Sequence, residues 1–200
     1  MNDLTLRRPT AALRELRRLV VPDDAPDDSR LELVIRTSDR DLSIRDLSAF
    51  LDLVDSLYGR LSPEGFRSYA RRERGHIEIS RLEPGSWELV LETLLSRFQY
   101  PEILLVIWLA LKYLPPAVQS VATAYNQIER GRLARQSRKR IRAEMDADEK
   151  LRSISPERRR ELARLIDILY EREAVKLPRA VRFARAKLID VVIRVRRGNQ

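Results

Sequence analysis

Residues 103–111 read Ile-Leu-Leu-Val-Ile-Trp-Leu-Ala-Leu, nine apolar residues in succession. The segment follows Tyr100-Pro101-Glu102 and ends shortly before the pair Pro115-Pro116. A surface helix keeps one polar face in water, so a segment that is apolar on every side must be covered on every side. The sequence therefore predicts that this segment lies in the protein core, against a second copy of the chain, or in a lipid bilayer.

These three settings differ in what they require of the flanking residues. Apolar runs of about 10–14 residues are more often core helices than membrane spans. A fully covered helix is hard to bury in a 200-residue monomer, which favours self-association. A membrane span would need residues 103–124, in which one central Lys112 at about +2.5 to +3.5 kcal/mol nearly offsets the apolar gain. We predict that the residues for self-association, or alternatively for membrane contact, are Ile103, Leu104, Ile107, Trp108, Leu111, Val118, Val121 and Tyr125.

The charge of the chain is unevenly distributed. Residues 1–100 carry 16 cations and 18 acids, whereas residues 101–200 carry 23 cations and 12 acids, so the second half accounts for the net charge of +9. A GC-rich genome of bacterial type explains much of the excess of Arg over Lys, but it does not explain where the charges cluster. Clustering of one sign predicts that the second half contacts a polyanion.

The cations concentrate on one predicted helix. Residues 130–142 contain seven cations and no acid, and they continue the helical spacing of the apolar positions before them. We interpret this helix as packing on the body with its first part and projecting from the body with its basic part. A solvated charged face is the alternative interpretation. The predicted polyanion-binding residues are Arg132, Arg135, Arg138, Lys139 and Arg142.

Alternating apolar residues predict the strands. Leu31, Leu33 and Ile35 alternate with Glu32, Val34 and Arg36, and a hairpin is predicted around the turn Glu83–Ser86. Val191, Ile193 and Val195 repeat the pattern near the end of the chain. The predicted fold class is therefore α+β, with about four strands in a mostly antiparallel or mixed sheet, helices on one face, and a long helical excursion over residues 102–188 before the last strand.

Helix-start signals complete the predicted organisation. Ser43 and Ser155-Pro156-Glu157 are typical of helix N-termini, and helices are also predicted over residues 9–20, from Ser62 and from Leu177. The chain then divides into residues 1–30 (a helix and an acidic loop), residues 31–95 with 188–197 (the sheet-containing core), and residues 102–187 (the apolar and basic helical region).

No catalytic motif is visible in the sequence. Cysteine is absent and His76 is the only histidine, which excludes thiol chemistry and a histidine pair within one chain. The six glycines form no phosphate-binding loop, and no metal or cofactor site is predicted. We expect a non-enzymatic assembly or accessory protein of the cytoplasm, a homo-oligomer that contacts nucleic acid or another polyanion. The alternative is a small effector or anchor associated with the cytoplasmic side of a membrane, with residues 103–124 in or on the bilayer and the basic helix at anionic lipid headgroups.

Overall fold

The computed structural model describes residues 10–37, 44–61, 78–83, 88–96, 100–113, 127–177, 179–181, 184 and 188–197. Within these ranges the helices are α1 (Ala11–Val20), α2 (Ile44–Leu61), α3 (Tyr100–Lys112), α4 (Gln127–Ala147) and α5 (Pro156–Lys176), with a 3₁₀ turn at Glu149–Leu151 between the last two. The strands are β1 (Arg30–Thr37), β2 (Glu78–Glu83), β3 (Glu88–Leu94) and β4 (Leu188–Arg196).

The strands form an antiparallel sheet in the order β2-β3-β1-β4. In the register, Leu33 of β1 faces Leu91 of β3 and Ile193 of β4, so one apolar row crosses the three strands. The alternation of apolar and polar residues indeed produces strands here, because alternate side chains point to the same face of a sheet. The α+β class and the predicted helical content are confirmed.

Helix α3 lies at the centre of the core. Every side chain from Ile103 to Leu111 is at most 2% exposed in the single chain. The helix packs on the sheet and on α1, α2 and α5. Trp108 donates its Nε1–H to the backbone oxygen of Val191 in β4 at 3.0 Å, and Tyr170 of α5 donates its hydroxyl to the backbone oxygen of Ala110. The fold of one chain therefore covers α3 on all sides.

This burial corrects one expectation from the sequence. We expected a helix of this kind to be difficult to cover in a 200-residue monomer, but the sheet and three helices suffice here. The reason is position: α3 is sandwiched between layers instead of lying at the surface of one. Because burying a leucine-sized side chain contributes about 1.5–3 kcal/mol, α3 is a major source of stability.

Local capping explains two of the helix starts. The Thr10 hydroxyl accepts the backbone N–H of Leu13 at 3.3 Å, which begins α1. The Ser155 hydroxyl accepts the N–H of Arg158 at 3.4 Å, and Pro156 occupies the first helical position, where its missing N–H has no intrahelical partner to lose. The predicted helix start at Ser155 is confirmed.

Several predicted features lie outside the described residues. They are the cap at Ser43, the helix from Ser62, the hairpin turn around Gly85, His76, and the positions Val118, Val121 and Tyr125. Helix α4 ends at Ala147.

Candidate polyanion-binding site

Helices α4 and α5 form an antiparallel helical hairpin. Arg138 of α4 pairs with Asp167 of α5 and lies 3.3 Å from Glu171, while Asp146 near the end of α4 lies 2.7 Å from Arg159 near the start of α5. Residues later in α4 pair with residues earlier in α5, so the two helices are antiparallel. Among the described elements, α4 has its main contacts with α5, so it is an outer helix of the molecule.

The hairpin corrects the expectation that the basic part of α4 projects from the body. Ser137, Ile141 and Met145 recur at intervals of four residues and are buried against the rest of the protein. The sequence reasoning followed the cations and overlooked this narrow inner stripe between them. Helix α4 is therefore attached along its basic part, and only its outer side is open to solvent.

The five predicted polyanion-binding residues divide into two groups. Arg132, Arg135 and Lys139 are exposed on the outer side of α4, and they have no ion-pair partner among the described residues. Arg142 is half-buried, and its Nε atom has no hydrogen-bond partner within the same ranges. Arg138, in contrast, is held by two acids of α5. Arg132, Arg135 and Lys139 are thus available for an outside anion, Arg142 is partly available at the edge of the hairpin, and Arg138 fastens the hairpin.

Two further cations, which we did not select from the sequence, come from α5. Arg160 and Arg164 are exposed, and the spacing 160, 164, 167, 171 places them on the same stripe of α5 as the acids that hold Arg138. That stripe faces α4. Because Arg138 pairs with residue 167 and Asp146 with residue 159, Arg142 lies level with about residue 163 of α5. We call Arg132, Arg135, Lys139, Arg142, Arg160 and Arg164 the hairpin cation face.

The sequence contained part of the information needed to select Arg160 and Arg164 of α5. The start at Ser155-Pro156 fixes where α5 begins, and the spacing of Arg160 and Arg164 can be read from it. What the sequence does not give is the antiparallel register that brings their stripe beside α4.

The closed end of the hairpin is firmly fastened. Arg159 donates from Nη1 to three backbone oxygens, those of Leu151, Arg152 and Ile154, at 2.9–3.3 Å. Glu15 of α1 accepts the backbone N–H of Ser155 at 3.1 Å. These bonds satisfy carbonyl groups of the turn between the helices and hold the turn against α1, which keeps the hairpin cation face in a fixed geometry.

Two carboxylates at the hairpin have opposite electrostatic environments. Burial opposes ionisation of Asp148, but hydrogen bonds from Lys112, Tyr113 and the Lys150 N–H outweigh it, and the pKa of Asp148 lies below its usual value of 3.8. At Asp167 burial dominates over the contact with Arg138, and the pKa is raised above 3.8. Asp148 fastens the end of α4 to α3, and Asp167 lies inside the hairpin.

The residues predicted for self-association or membrane contact have a different position. Ile103, Leu104, Ile107, Trp108 and Leu111 are in the core, and they are not presented at the surface of the single chain. Self-association stays a prediction, but α3 no longer motivates it. Among the described helices, none combines the length and apolar character needed to cross a bilayer. Within the same ranges, no group of three or more acidic or histidine side chains is arranged to hold a metal ion.

Comparison of the chain with protein-family models, with curated proteins and with solved structures found no match. The functional argument therefore depends on the geometry of the chain itself.

Proposed function

We propose that this protein is a non-enzymatic accessory or assembly protein that binds a polyanion with the hairpin cation face, and that the polyanion is duplex nucleic acid contacted through its phosphates. The observation that carries the proposal is that none of these six cations forms an ion pair with an acid in the described part of the chain, although Asp167 lies near Arg142. Arginine and lysine side chains that neutralise phosphates supply the sequence-independent part of nucleic-acid binding.

The dimensions of the face agree with this use. Arg132 and Arg142 are ten residues apart on α4, which corresponds to about 15 Å along the helix axis at 1.5 Å per residue. Arg160 and Arg164 on α5 widen the face to two helices. Duplex DNA carries one charge per about 1.7 Å of axis, so a rigid face of this length meets several phosphates at once.

A membrane surface is the less favoured partner. Helices that lie in a lipid interface bury Trp, Phe or Leu side chains next to their cations. The exposed large apolar residue found among the described residues is Leu19, which lies on α1 and not on the hairpin. The most apolar segment, Ile103–Leu111, is enclosed in the core. The hairpin cation face therefore matches phosphates better than it matches a bilayer.

The test is the salt dependence of binding to a short DNA duplex, followed by fluorescence anisotropy. If all six cations contact phosphates, log K falls against log salt with a slope of about −5, from −0.9 per neutralised phosphate. Lys139→Gln is expected to make the slope shallower by about one unit and to weaken binding to unrelated sequences equally.

Arg140→Gln is the matched control. Arg140 neighbours Lys139 in the chain, but it pairs with Glu144 at 2.7 Å on the opposite side of α4 from α5. It removes one positive charge, as Lys139→Gln does, and leaves the hairpin cation face complete. Equal slopes for the two variants would refute the proposal, because they would show that only net charge matters. Binding to anionic vesicles but not to duplexes would show that the site binds lipid headgroups instead of nucleic acid.

A further inference from the structure

A second surface feature, which shares no residue with the hairpin cation face, is a cavity of about 580 Å³. It lies between α1, the loop that follows α1, the turn after β3 and the first turn of α3. Its volume is in the range of about 300–1,000 Å³ that small-molecule sites occupy. Its polar lining consists mainly of Arg14, Arg17, Arg18, Asp23, Asp27 and Glu102.

Three arginines form one wall of the cavity. Arg14, Arg17 and Arg18 are spaced by three and four residues, so they share one side of α1, whereas Leu13 and Leu16 face the core. Arg17 is occupied: it donates to Glu102 Oε1 at 2.7 Å and to the backbone oxygen of Leu95 at 3.1 Å. Arg14 and Arg18 are exposed and have no partner among the described residues. Two guanidinium groups at the wall are therefore available for an anion.

Glu102 supplies a negatively charged hydrogen-bond acceptor at the cavity. The residue is 2% exposed, and only its Oε1 atom is bonded to Arg17. Its Oε2 atom is buried and accepts no hydrogen bond from the described part of the chain. The position in the first turn of α3 favours a negative charge through the helix dipole, but a dipole does not replace a donor. A buried acceptor without a donor is unfavourable, and a donor group of a ligand would satisfy it.

We propose that this cavity binds a small zwitterionic ligand, with its phosphate or carboxylate on Arg14 and Arg18 and its ammonium group on Glu102 Oε2. The charges of the lining support a zwitterion over a simple anion, because three arginines are balanced by Asp23, Asp27 and Glu102. Guanidinium groups match both phosphate and carboxylate oxygens, and the ammonium group supplies the missing donor. The site is independent of the polyanion proposal, since it shares no residue with the hairpin.

Two pairs of probes test the site by isothermal titration calorimetry. O-phosphoethanolamine is compared with ethyl phosphate, and β-alanine with propionate, so that each pair differs in the amine. The full-length protein is expected to bind at least one amine-bearing probe about tenfold more tightly than its partner, the loss expected for one charge-assisted hydrogen bond. The pair that shows the difference identifies the anionic group.

Variants separate the two ends of the ligand. Arg14→Gln and Arg18→Gln should each weaken both members of the binding pair, and these exposed positions leave the fold intact. Glu102→Gln, whose carbonyl still accepts from Arg17, should abolish the preference for the amine, and its thermal melt shows whether the protein stays folded. Arg164→Gln on the hairpin should bind the probes as the parent does.

Two results would overturn the proposal. One is the absence of binding by all four probes at millimolar concentrations. The other is an amine preference that Glu102→Gln leaves unchanged.

Discussion

Arginine is abundant on two surfaces of this molecule, and the surfaces differ in what lies beneath the guanidinium groups. On the outer face of the sheet, Arg194 and Arg196 lie over Glu32, with nitrogen–oxygen distances of 2.8 and 3.1 Å. Arg196 also contacts Glu92 at 3.1 Å, and Arg30 pairs with the same carboxylate. On the hairpin cation face, none of the cations forms an ion pair with an acid among the described residues.

Burial of the carboxylates explains why the sheet arginines are held. Glu32 and Glu92 are 2% and 4% exposed, and the register places them directly opposite each other on β1 and β3. Two like charges so close are unfavourable without cations to neutralise them. Arginine side chains neutralise these two carboxylates through ion pairs. A cluster of arginines is therefore a structural feature on the sheet and a candidate binding surface on the hairpin.

Disrupting helix α3, on which both the sheet and the hairpin pack, should have the largest effect on stability. Ile107 is fully buried in α3, which packs on the sheet and on α5. Ile107→Glu places an unpaired carboxylate in the core, and we expect a loss of about 4 kcal/mol or more in the free energy of unfolding, measured by urea denaturation.

Leu19→Glu is the control for this prediction. Leu19 is 42% exposed on α1, so the same new charge should change stability by about 0.5 kcal/mol or less. A stable, fully folded Ile107→Glu protein would mean that α3 is not the central helix. Light scattering of the unmodified protein tests the separate prediction of self-association.

Matched double variants then compare the two surfaces directly. Arg194→Gln with Arg196→Gln removes both cations from the buried Glu32, and we expect about 3 kcal/mol of destabilisation, because an uncompensated buried charge costs about 3–5 kcal/mol. Arg135→Gln with Lys139→Gln removes the same charge from the hairpin and should change stability by about 0.5 kcal/mol or less.

The double variant with the larger effect on stability should have the smaller effect on DNA binding, and the reverse should hold for the other. The hairpin double variant should make the salt slope shallower by about two units, whereas the sheet double variant should leave the slope unchanged if it is studied at a temperature where it is folded. Equal destabilisation of the two variants in urea would show that the distinction between the surfaces is wrong.

The smallest expected effects are changes in the pH dependence of stability, which come from two carboxylates of the hairpin, Asp148 and Asp167. The pKa of Asp148 is lowered in the folded protein, so its stabilisation is present above 3.8 and is lost as the pH falls through the folded value. The pKa of Asp167 is raised, so its contribution is largest below 3.8 and is lost as the pH rises through the folded value.

Asparagine variants at these positions test the signs. The stability advantage of the parent over Asp148→Asn should shrink between pH 5 and pH 2, while its advantage over Asp167→Asn should grow over the same acid interval, which a series of urea titrations between about pH 2 and pH 5 covers. Parallel pH profiles for the two variants would contradict the assigned environments.

The sequence predicted local structure better than it predicted contacts. Alternation around Leu33 and Ile193 gave strands, the Ser155-Pro156 signal gave the start of α5, and nine consecutive apolar residues gave a covered helix. These features depend on neighbours in the chain. Which elements would cover α3 was beyond this reasoning, because it depends on how distant segments pack.

The same limit applies to the candidate site. The outer cations of α4 follow from helical spacing, but the pairing of Arg138 with Asp167 depends on the register between two helices. The ion pairs of the sheet arginines could likewise not be predicted from the sequence, since Glu32 and Arg194 are 162 positions apart. A charge pattern alone does not distinguish a cation that has a partner from one that has none.

The position of β4 has a consequence for the order in which the sheet assembles. Strand β1 lies between β3 and β4, so it remains an edge strand until residues 188–196 arrive. Pairings between distant segments form slowly, and an open edge recruits strands from other chains in the meantime. A charged side chain on such an edge discourages that pairing. We therefore expect the carboxylate of Glu32, which Arg194 and Arg196 neutralise in the folded chain, to discourage such pairing before β4 docks.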